Sequence, residues 1–463
     1  MNVMPRIDRS IISSLKESFS GQILLPGDDG YDLQRRIHNG MIDRRPAVIA
    51  RCLVNADVVD ALAFGRDHGL EIAVRGGGHN VAGRAVCDDG MMIDLSLMKG
   101  TWVDPEKKRV RVQGGLTWGE FNRSTQLHGL AATGGAVSTT GVAGLTLGGG
   151  FGFLKGKCGL TIDCLRSVEL ITATGEVVHA SHEQNDDLFW GLRGGGGNFG
   201  IATGFEFDLH DIGPTVHGGL SAYPFESASE VLKFLRDLNP TAPDELTVLA
   251  GLTHTRDALG TKLAAIIPCH CGTASEASLA LEPIKSFGAP VIDGIGPISY
   301  SSLNQVFDPG VPKLDLYYWK SCFIEDLSDE IIAIIVEQFA CCPSAKTKIF
   351  IEYFHGAAVR PDPSDMAYPH RSTGYSILIV TQWTNPADNE RNISWAREIY
   401  DRLSPHAQTN AYTNYMDDDE SLARVRQAFG ENFPRLQKLK DHYDPENVFR
   451  RNQNVPPSKE DPT

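Results

Sequence analysis

The sequence contains no hydrophobic run that approaches the length of a membrane-spanning helix. The longest apolar run, residues 331–336, has six residues, whereas a spanning helix needs about 18 or more. The first twenty residues are polar and lack the apolar centre of a secretion signal. We therefore expect no membrane partner and a cytoplasmic location.

Positive charge is also scarce. The chain has 43 Lys and Arg against 58 Asp and Glu, which gives a formal net charge of −15. Phosphate groups attract Lys and Arg and are repelled by an acidic protein. The composition therefore excludes a general nucleic-acid partner, although a local basic patch is still compatible with it.

Paired cysteine motifs of the zinc-binding type are missing as well. Among nine cysteines, Cys269-His270-Cys271 and Cys341-Cys342 have neither the usual C-x₂₋₄-C spacing nor a second pair. We therefore expect no metal site. An odd number of cysteines without a secretion signal is typical of reduced thiols in the cytoplasm.

Glycine, in contrast, is abundant and clustered. The 47 glycines make up about a tenth of the chain, against a usual ~7%. The first cluster is Arg75-Gly76-Gly77-Gly78-His79-Asn80, directly after an apolar strand. Successive backbone N–H groups in such a loop form a concave anion site. We predict an anion cradle to which Arg75 adds charge; a purely structural turn is the alternative.

Two further glycine clusters follow. Residues 134–152 are mostly small and carry no charged side chain, which favours backbone contact along a flat or extended ligand, or else tightly packed turns. In residues 193–200, Gly195-x-Gly197-x-x-Gly200 matches the dinucleotide-binding pattern. That pattern should open a helix, whereas residues 201–207 have the pattern of a strand, so we reject a Rossmann site.

The coarse pattern divides the chain into three parts and indicates an α+β fold. In residues 1–212 we expect strands at 47–52 and 71–74 and a helix at 57–68. In residues 213–408, strand-like and helix-like runs alternate, and Ser227-x-x-Glu230 is a plausible capping box. Residues 409–463 hold an aromatic and polar cluster followed by a helix at about 421–443.

The motifs together resemble the FAD-linked oxidases of the vanillyl-alcohol-oxidase type, in particular the berberine-bridge-enzyme-like branch. Their order and spacing along nearly the whole chain carry the resemblance. Among singly linked relatives, the chain resembles the bacterial 6-hydroxy-D-nicotine-oxidase-like enzymes and the flavoenzyme of enterocin biosynthesis. Besides the glycine clusters, the motifs are Ile93-Asp94-Leu95-Ser96, Gly159-Leu160-Thr161-Ile162-Asp163, Asp187-Leu188-Phe189-Trp190, Tyr412-Thr413-Asn414-Tyr415 and Tyr443-Asp444-Pro445-x-Asn447-x-Phe449.

The resemblance implies a specific architecture. It consists of a PCMH-type FAD-binding domain of two small α+β halves (residues 1–212, core about 40–212) and a substrate-binding domain with an antiparallel sheet covered by helices (213–408). A C-terminal segment (409–463) returns to the FAD domain, and FAD lies between the two domains.

The resemblance also implies that His79 carries FAD covalently through the 8α-methyl group. A neutral imidazole is a competent nucleophile, and histidine is partly neutral at pH 7; a solvated loop histidine is the alternative. Relatives with a second link place a cysteine where this chain has Val137, so we expect a single link. Cys158 and Cys164 stand where relatives often have an aromatic residue and Asn. The remaining implied cofactor contacts are Arg75, Gly76, Gly77, Gly78, Asn80, Gly134, Val137, Ser138, Thr140, Gly141, Val142, Gly144, Gly200, Ile201 and Asn447.

For the chemistry, Tyr415 is the candidate base because relatives place a catalytic tyrosine in the matching stretch. With an ordinary pKa near 10 it needs a nearby positive charge or a hydrogen-bond donor, for which Arg371 is a candidate. Glu352 interrupts an apolar strand and is either a buried base or substrate ligand, or an exposed edge residue. Tyr412 is a further catalytic candidate, although a structural role fits it better.

The expected function is oxidation of a small secondary metabolite at an alcohol or amine carbon, with hydride transfer to FAD. Val142 resembles the residue of oxygen-reactive relatives, which favours O₂ as the electron acceptor and H₂O₂ as the product. The alternatives are flavin-dependent oxygenation, multi-electron oxidation, oxidative cyclisation, or a flavin-binding scaffold without activity. The expected partners are a small-molecule substrate and O₂, in a monomer or homodimer.

Overall fold

The structure is a computed structural model, and it describes residues 9–460. Its first sheet has the strand order β1-β2-β4-β3, with β1 antiparallel to β2 and the others parallel. Val58 and Leu62 of α3 pack on this sheet, on the face that the sequence predicts. The elements are α1 (Arg9–Ser18), β1 (Gln22–Leu24), α2 (Tyr31–Gln34), β2 (Val48–Arg51), α3 (Asn55–Asp67), β3 (Ile72–Arg75) and β4 (Met91–Asp94).

The next sheet is antiparallel and has the order β5-β6-β10-β8-β9, while β7 pairs with β11. Trp118, Phe121 and Phe207 pack together beneath it. The strand β10 follows the third glycine cluster, as the sequence predicts. The elements are β5 (Thr101–Asp104), β6 (Arg109–Gln113), α4 (Trp118–Thr125), β7 (Leu130–Ala131), α5 (Val142–Leu147), α6 (Lys155–Cys158), β8 (Leu165–Ile171), β9 (Val177–Ser181), α7 (Asp186–Leu192), β10 (Ile201–Asp208) and β11 (His210–Asp211).

The largest sheet is antiparallel, with the order β16-β13-β15-β14-β19-β20-β18, and β12 pairs with β15 and β17. Its elements are β12 (Thr215–Gly218), β13 (Ser221–Pro224), α8 (Ala228–Leu238), β14 (Leu246–His254), β15 (Lys262–His270), α9 (Ala274–Lys285), β16 (Ile292–Asp293), β17 (Gly296–Ser299), α10 (Tyr300–Leu303), β18 (Leu316–Ile324), α11 (Asp329–Ala340), β19 (Lys348–Phe354), β20 (Gly374–Trp383) and α12 (Asn389–Leu403).

Side-chain alternation along β19 gives this sheet two different faces. Ile349 and Ile351 join the apolar core that the sheet shares with α8, α11 and α12. Phe350 and Glu352 point the other way and line a cavity. This is the period-2 rule of a strand, and it fixes which β19 residues can meet a ligand.

Two local predictions need correction. Ser227 does not cap α8, because residues 225–227 form a 3₁₀ turn that runs into the helix and the Ser227 side chain makes no capping hydrogen bond. The predicted helix at 421–443 is two helices, α13 (Leu422–Phe429) and α14 (Phe433–Tyr443). Gly430 breaks the helix by adopting a φ of 52°, a region that glycine enters at little cost.

The C-terminal segment lies against the glycine-rich part of the chain. Lys440 of α14 donates to the carbonyl of Asn198 at 3.0 Å, and Arg435 pairs with Asp187 of α7. The fold is therefore α+β with antiparallel sheets and helices. None of the helices in the described range 9–460 is long and apolar enough to cross a membrane.

Candidate functional site

A cavity of about 350 Å³ lies between the glycine clusters and the large sheet. This volume falls within the range of ordinary ligand sites. One wall consists of backbone and small side chains. The opposite wall is the face of β14, β18, β19 and β20 that points towards the cavity. The predicted cofactor contacts that line it are Gly76, Gly77, Gly78, His79, Asn80, Val137, Thr140, Gly141, Gly144, Gly200 and Ile201.

The first two glycine clusters contact each other through backbone. A Cβ atom on Gly77 would lie 2.4 Å from the amide nitrogen of Gly141, and one on Gly141 would lie 2.4 Å from the nitrogen of Gly77. Neither position has room for a side chain, since the clashing atoms are backbone. This close backbone contact holds the loop that carries His79 in place.

His79 presents a neutral imidazole to the cavity. Burial lowers the pKa of His79 to about 4, so the ring is uncharged at neutral pH. Its Nε2 atom is buried and has no hydrogen-bond partner among the described residues. The ring stacks on His38, with ring centroids 3.9 Å apart. Because burial also lowers the pKa of His38, to about 2, the stacked pair stays neutral.

The cavity fits the predicted FAD. Gly144 and Gly197 line it, and a Cβ atom on either would meet no other atom within 4 Å. That open space next to bare backbone suits a ligand that approaches the main chain closely. Arg451 also lines the cavity; its Nη1 atom pairs with Glu71 Oε2 at 3.1 Å, while its Nε and Nη2 atoms make no hydrogen bond within the described chain. A guanidinium with free donors suits a diphosphate.

Five predicted cofactor contacts do not line the cavity. Arg75 is ion-paired with the fully buried Asp94, with Nε 2.9 Å from Oδ1, so its charge is already matched. Gly134 packs against the Trp118 ring, and Ser138 binds the Asp308 carboxylate. Val142 is fully buried in the core and Asn447 binds Glu460; neither lines the cavity.

Tyr415 and Glu352 form the polar end of the cavity. The Tyr415 hydroxyl donates to Glu352 Oε1 at 3.1 Å. Glu352 is only 7% exposed, and β19 lies between β14 and β20, so Glu352 is not an edge residue. Burial, followed by the Glu352 carboxylate, raises the pKa of Tyr415 well above its ordinary value. Tyr415 therefore keeps its proton in the resting site.

Arg371, the candidate for a positive charge near Tyr415, is bound elsewhere. Its Nη2 and Nη1 atoms lie 2.7 and 2.9 Å from the carboxylate oxygens of Asp163, and it also donates to the carbonyl of Ala358. The guanidinium is therefore committed to the loop after α6. The cation that does reach Glu352 is Lys155, with Nζ 3.3 Å from Oε2.

Tyr412 has a different environment from Tyr415. Its hydroxyl accepts from the backbone nitrogen of Gly150 at 3.0 Å and from Asn414 Nδ2 at 2.8 Å. Its ring stacks on Phe151 with centroids 3.8 Å apart. These contacts tie the C-terminal segment to the second glycine cluster.

Two groups of residues line the cavity without having been predicted from the sequence. The first group consists of Arg451, Asn452 and Gln453. These residues lie just after the Tyr443–Phe449 motif, so extending that motif along the chain could have found them. The second group comes from the large sheet, where only the apolar strand patterns were visible in the sequence. Its members are Leu249, Trp319, Phe350, Leu378 and Val380. Cys158 and Cys164 are buried outside the cavity wall.

Comparison with known proteins supports this geometry. Residues 46–181 match a family described as FAD binding domain, and residues 411–456 match a family described as berberine and berberine like. An FAD-linked oxidoreductase of Dictyostelium discoideum is 30% identical over 453 residues, covering 96% of this chain and 97% of the relative. The (R)-6-hydroxynicotine oxidase of Paenarthrobacter nicotinovorans is 30% identical over 465 residues, covering 95% of this chain and 97% of the relative.

The likeness extends to solved structures. The 6-hydroxy-D-nicotine oxidase of Arthrobacter nicotinovorans superimposes with a TM-score of 0.87 at 27% identity, covering 95% of this chain and 98% of the other. The glycine cradle, the cavity and the full-length similarity agree. The chain therefore belongs to the FAD-linked oxidoreductases of the berberine-bridge-enzyme-like family and is an FAD-dependent oxidoreductase.

Proposed function

We propose that the protein is an FAD-dependent oxidase that oxidises an alcohol or amine carbon of a small metabolite, with O₂ as acceptor and H₂O₂ as product. The observation that carries the proposal is the Tyr415–Glu352 pair in the same cavity as His79. When bound there, FAD supplies the acceptor for the hydride that leaves the substrate carbon.

We also propose that FAD is held covalently by His79 alone. The support is chemical: the imidazole is neutral, and its Nε2 lone pair or proton is not engaged elsewhere in the described chain. Val137, which stands at the position of the second link in doubly linked relatives, lines the cavity and offers no nucleophile. We expect the remaining contacts to come from backbone groups of the glycine clusters and from the guanidinium of Arg451.

For an alcohol substrate, Tyr415 and Glu352 act as one proton acceptor. Tyr415 is protonated at rest, so it accepts the substrate hydroxyl proton only while its own proton moves to Glu352 Oε1, 3.1 Å away. This distance is within hydrogen-bond reach, as general-base catalysis requires. Tyr412, whose hydroxyl is already bonded to Gly150 and Asn414, positions the loop and takes no proton.

Anaerobic reduction of the purified holoprotein tests the proposal. Benzyl alcohol, ring-substituted benzyl alcohols and the matching amines are mixed with the protein while flavin absorbance is followed. We expect bleaching by at least one of them, and reoxidation by O₂ with one H₂O₂ per oxidised product. Failure of every alcohol and amine to bleach the flavin contradicts the proposal. Product that gains an oxygen atom or loses more than two electrons favours the oxygenation or multi-electron alternative.

A further inference from the structure

Lys155 is a fully buried cation next to the proposed proton acceptor. Its side chain has no exposed surface, and its ammonium lies 3.3 Å from Glu352 Oε2. The other oxygen of Glu352 accepts from the Tyr415 hydroxyl at 3.1 Å. Both carboxylate oxygens are therefore used, one by a cation and one by the tyrosine.

Lys155 reaches Glu352 from behind the cavity. It begins the short helix α6, directly after the second glycine cluster, and does not belong to the cavity wall. Its ammonium lies 5.5 Å from the ring centroid of Phe354, a distance at which the ring face attracts a cation. The pKa of Lys155 lies below its ordinary value, because burial lowers it by more than the Glu352 carboxylate raises it, so its charge depends on the ion pair with Glu352.

The large-sheet side of the cavity is otherwise apolar. Within the described chain, Glu352 is the charged side chain that this sheet contributes to the wall. The rest of the sheet wall consists of Leu249, Trp319, Phe350, Leu378 and Val380, with Phe307 and Val311 beside it. A lone carboxylate in such surroundings would demand a cation, and Lys155 already supplies one.

We infer that Lys155 is a specificity-determining residue that cancels the charge of Glu352, so that the cavity takes an uncharged aromatic alcohol in preference to a protonated amine. This inference rests on the proposed function and narrows its substrate class. A substrate ammonium would place a second cation beside a carboxylate whose charge is already matched, and would lose its hydration without compensation. A neutral hydroxyl donates to the Tyr415–Glu352 pair, and an aromatic ring packs on Trp319 and Phe350.

Calorimetric titration of the holoprotein with benzyl alcohol and with benzylammonium tests the inference at neutral pH. We expect the wild type to bind benzyl alcohol at least about tenfold more tightly. Lys155→Met removes the cation at similar volume, and we expect it to shift the ratio of the two Kd values by about tenfold or more towards benzylammonium. Lys155→Arg keeps the charge and should keep the wild-type preference.

The double variant Lys155→Met/Glu352→Gln removes both charges. We expect it to fold and to regain preference for the neutral probe, even if Lys155→Met alone does not fold because its carboxylate is buried without a partner. An unchanged ratio in Lys155→Met, a double variant that prefers benzylammonium, a wild type that prefers benzylammonium, or a wild type that binds neither probe would each overturn the inference. A protein that lacks flavin in its absorption spectrum refutes the proposed function instead, so the two failures are distinguishable.

Discussion

Single side chains decide the chemistry of the cavity, and their surroundings change the roles that residue type alone suggests. The sequence motif places a tyrosine at position 415, and the structure surrounds it with a carboxylate instead of a cation. We therefore propose that Tyr415 is half of a proton-accepting pair, because its raised pKa keeps it protonated at rest. The buried ion pair of Glu352 with Lys155 completes the arrangement.

Tyr415→Phe tests the role of the hydroxyl. Because general-base contributions are typically about 10²–10⁴-fold, we expect the rate of anaerobic flavin reduction by an alcohol to fall by that factor while flavin content stays the same. Tyr368→Phe is a matched control, since the Tyr368 hydroxyl is buried without a hydrogen-bond partner in the described chain. The control should keep the wild-type rate; equal losses in both variants would contradict a specific role for Tyr415.

Elements and loops set the geometry around those side chains. The loop that follows β3 carries His79. This loop packs against the second glycine cluster through backbone contact between Gly77 and Gly141, where neither residue has a side chain. The same loops leave Gly144 and Gly197 facing open space. Glycine thus has two different functions here, close packing of loops and room for a ligand.

A pair of alanine variants separates these two functions. Gly77→Ala places a Cβ atom 2.4 Å from the Gly141 nitrogen, and we expect it to destabilise the protein by about 1–3 kcal/mol, as overpacking does. Gly144→Ala meets no protein atom within 4 Å, so the fold should survive while flavin content falls. Denaturant unfolding and the flavin-to-protein absorbance ratio measure the two effects, and normal flavin content in Gly144→Ala would contradict the placement of the cofactor.

Helix caps give an independent test at the element scale. The Thr273 hydroxyl accepts from the backbone nitrogen of Glu276, and the Glu276 carboxylate accepts from the backbone nitrogen of Thr273. Ser227 makes no capping bond. Thr273→Ala should lower the free energy of unfolding by about 1 kcal/mol, and Ser227→Ala should change it by less than about 0.5 kcal/mol. Similar losses in both variants, measured by denaturant titration, would refute the assigned caps.

At the scale of the whole molecule, buried neutral histidines link stability to pH. Burial lowers the pKa of His254 and of His370 to about 4 each, against about 6.5 in an unfolded chain. Between these values the unfolded state binds more protons, so stability falls as the pH falls. Asp417, whose pKa burial raises to about 6, opposes this effect, whereas His79, whose pKa burial lowers to about 4, adds to it.

We therefore expect the free energy of unfolding to decrease from pH 6.5 to pH 4, by at most about 1.4 kcal/mol per pH unit for each histidine. His370, whose Nε2 lies 2.8 Å from the Ala411 carbonyl, offers the variant. His370→Asn should make the slope shallower. Denaturant unfolding across this range checks the sign, and a stability that rises towards pH 4 would contradict it.

The sequence predicted the parts of the molecule that depend on local patterns. Glycine loops, strand alternation and the strand after Gly200 were visible because backbone freedom and side-chain period are local properties. Partners distant in the chain were not: Lys155 meets Glu352, and Arg371 meets Asp163, through tertiary packing that no spacing reveals. The domain boundaries at 212 and 408, the cytoplasmic location and the monomeric or dimeric state stay predictions.

Attachment of the flavin to His79 is the central claim, and the absorption spectrum of acid-precipitated protein tests it most directly. We expect the washed, unfolded wild-type protein to keep its flavin absorbance and His79→Ala to lose it. We expect His38→Ala, which removes only the stacked neighbour, to keep at least part of it. Flavin released quantitatively into the supernatant of the wild type, or retained by His79→Ala, would contradict the account.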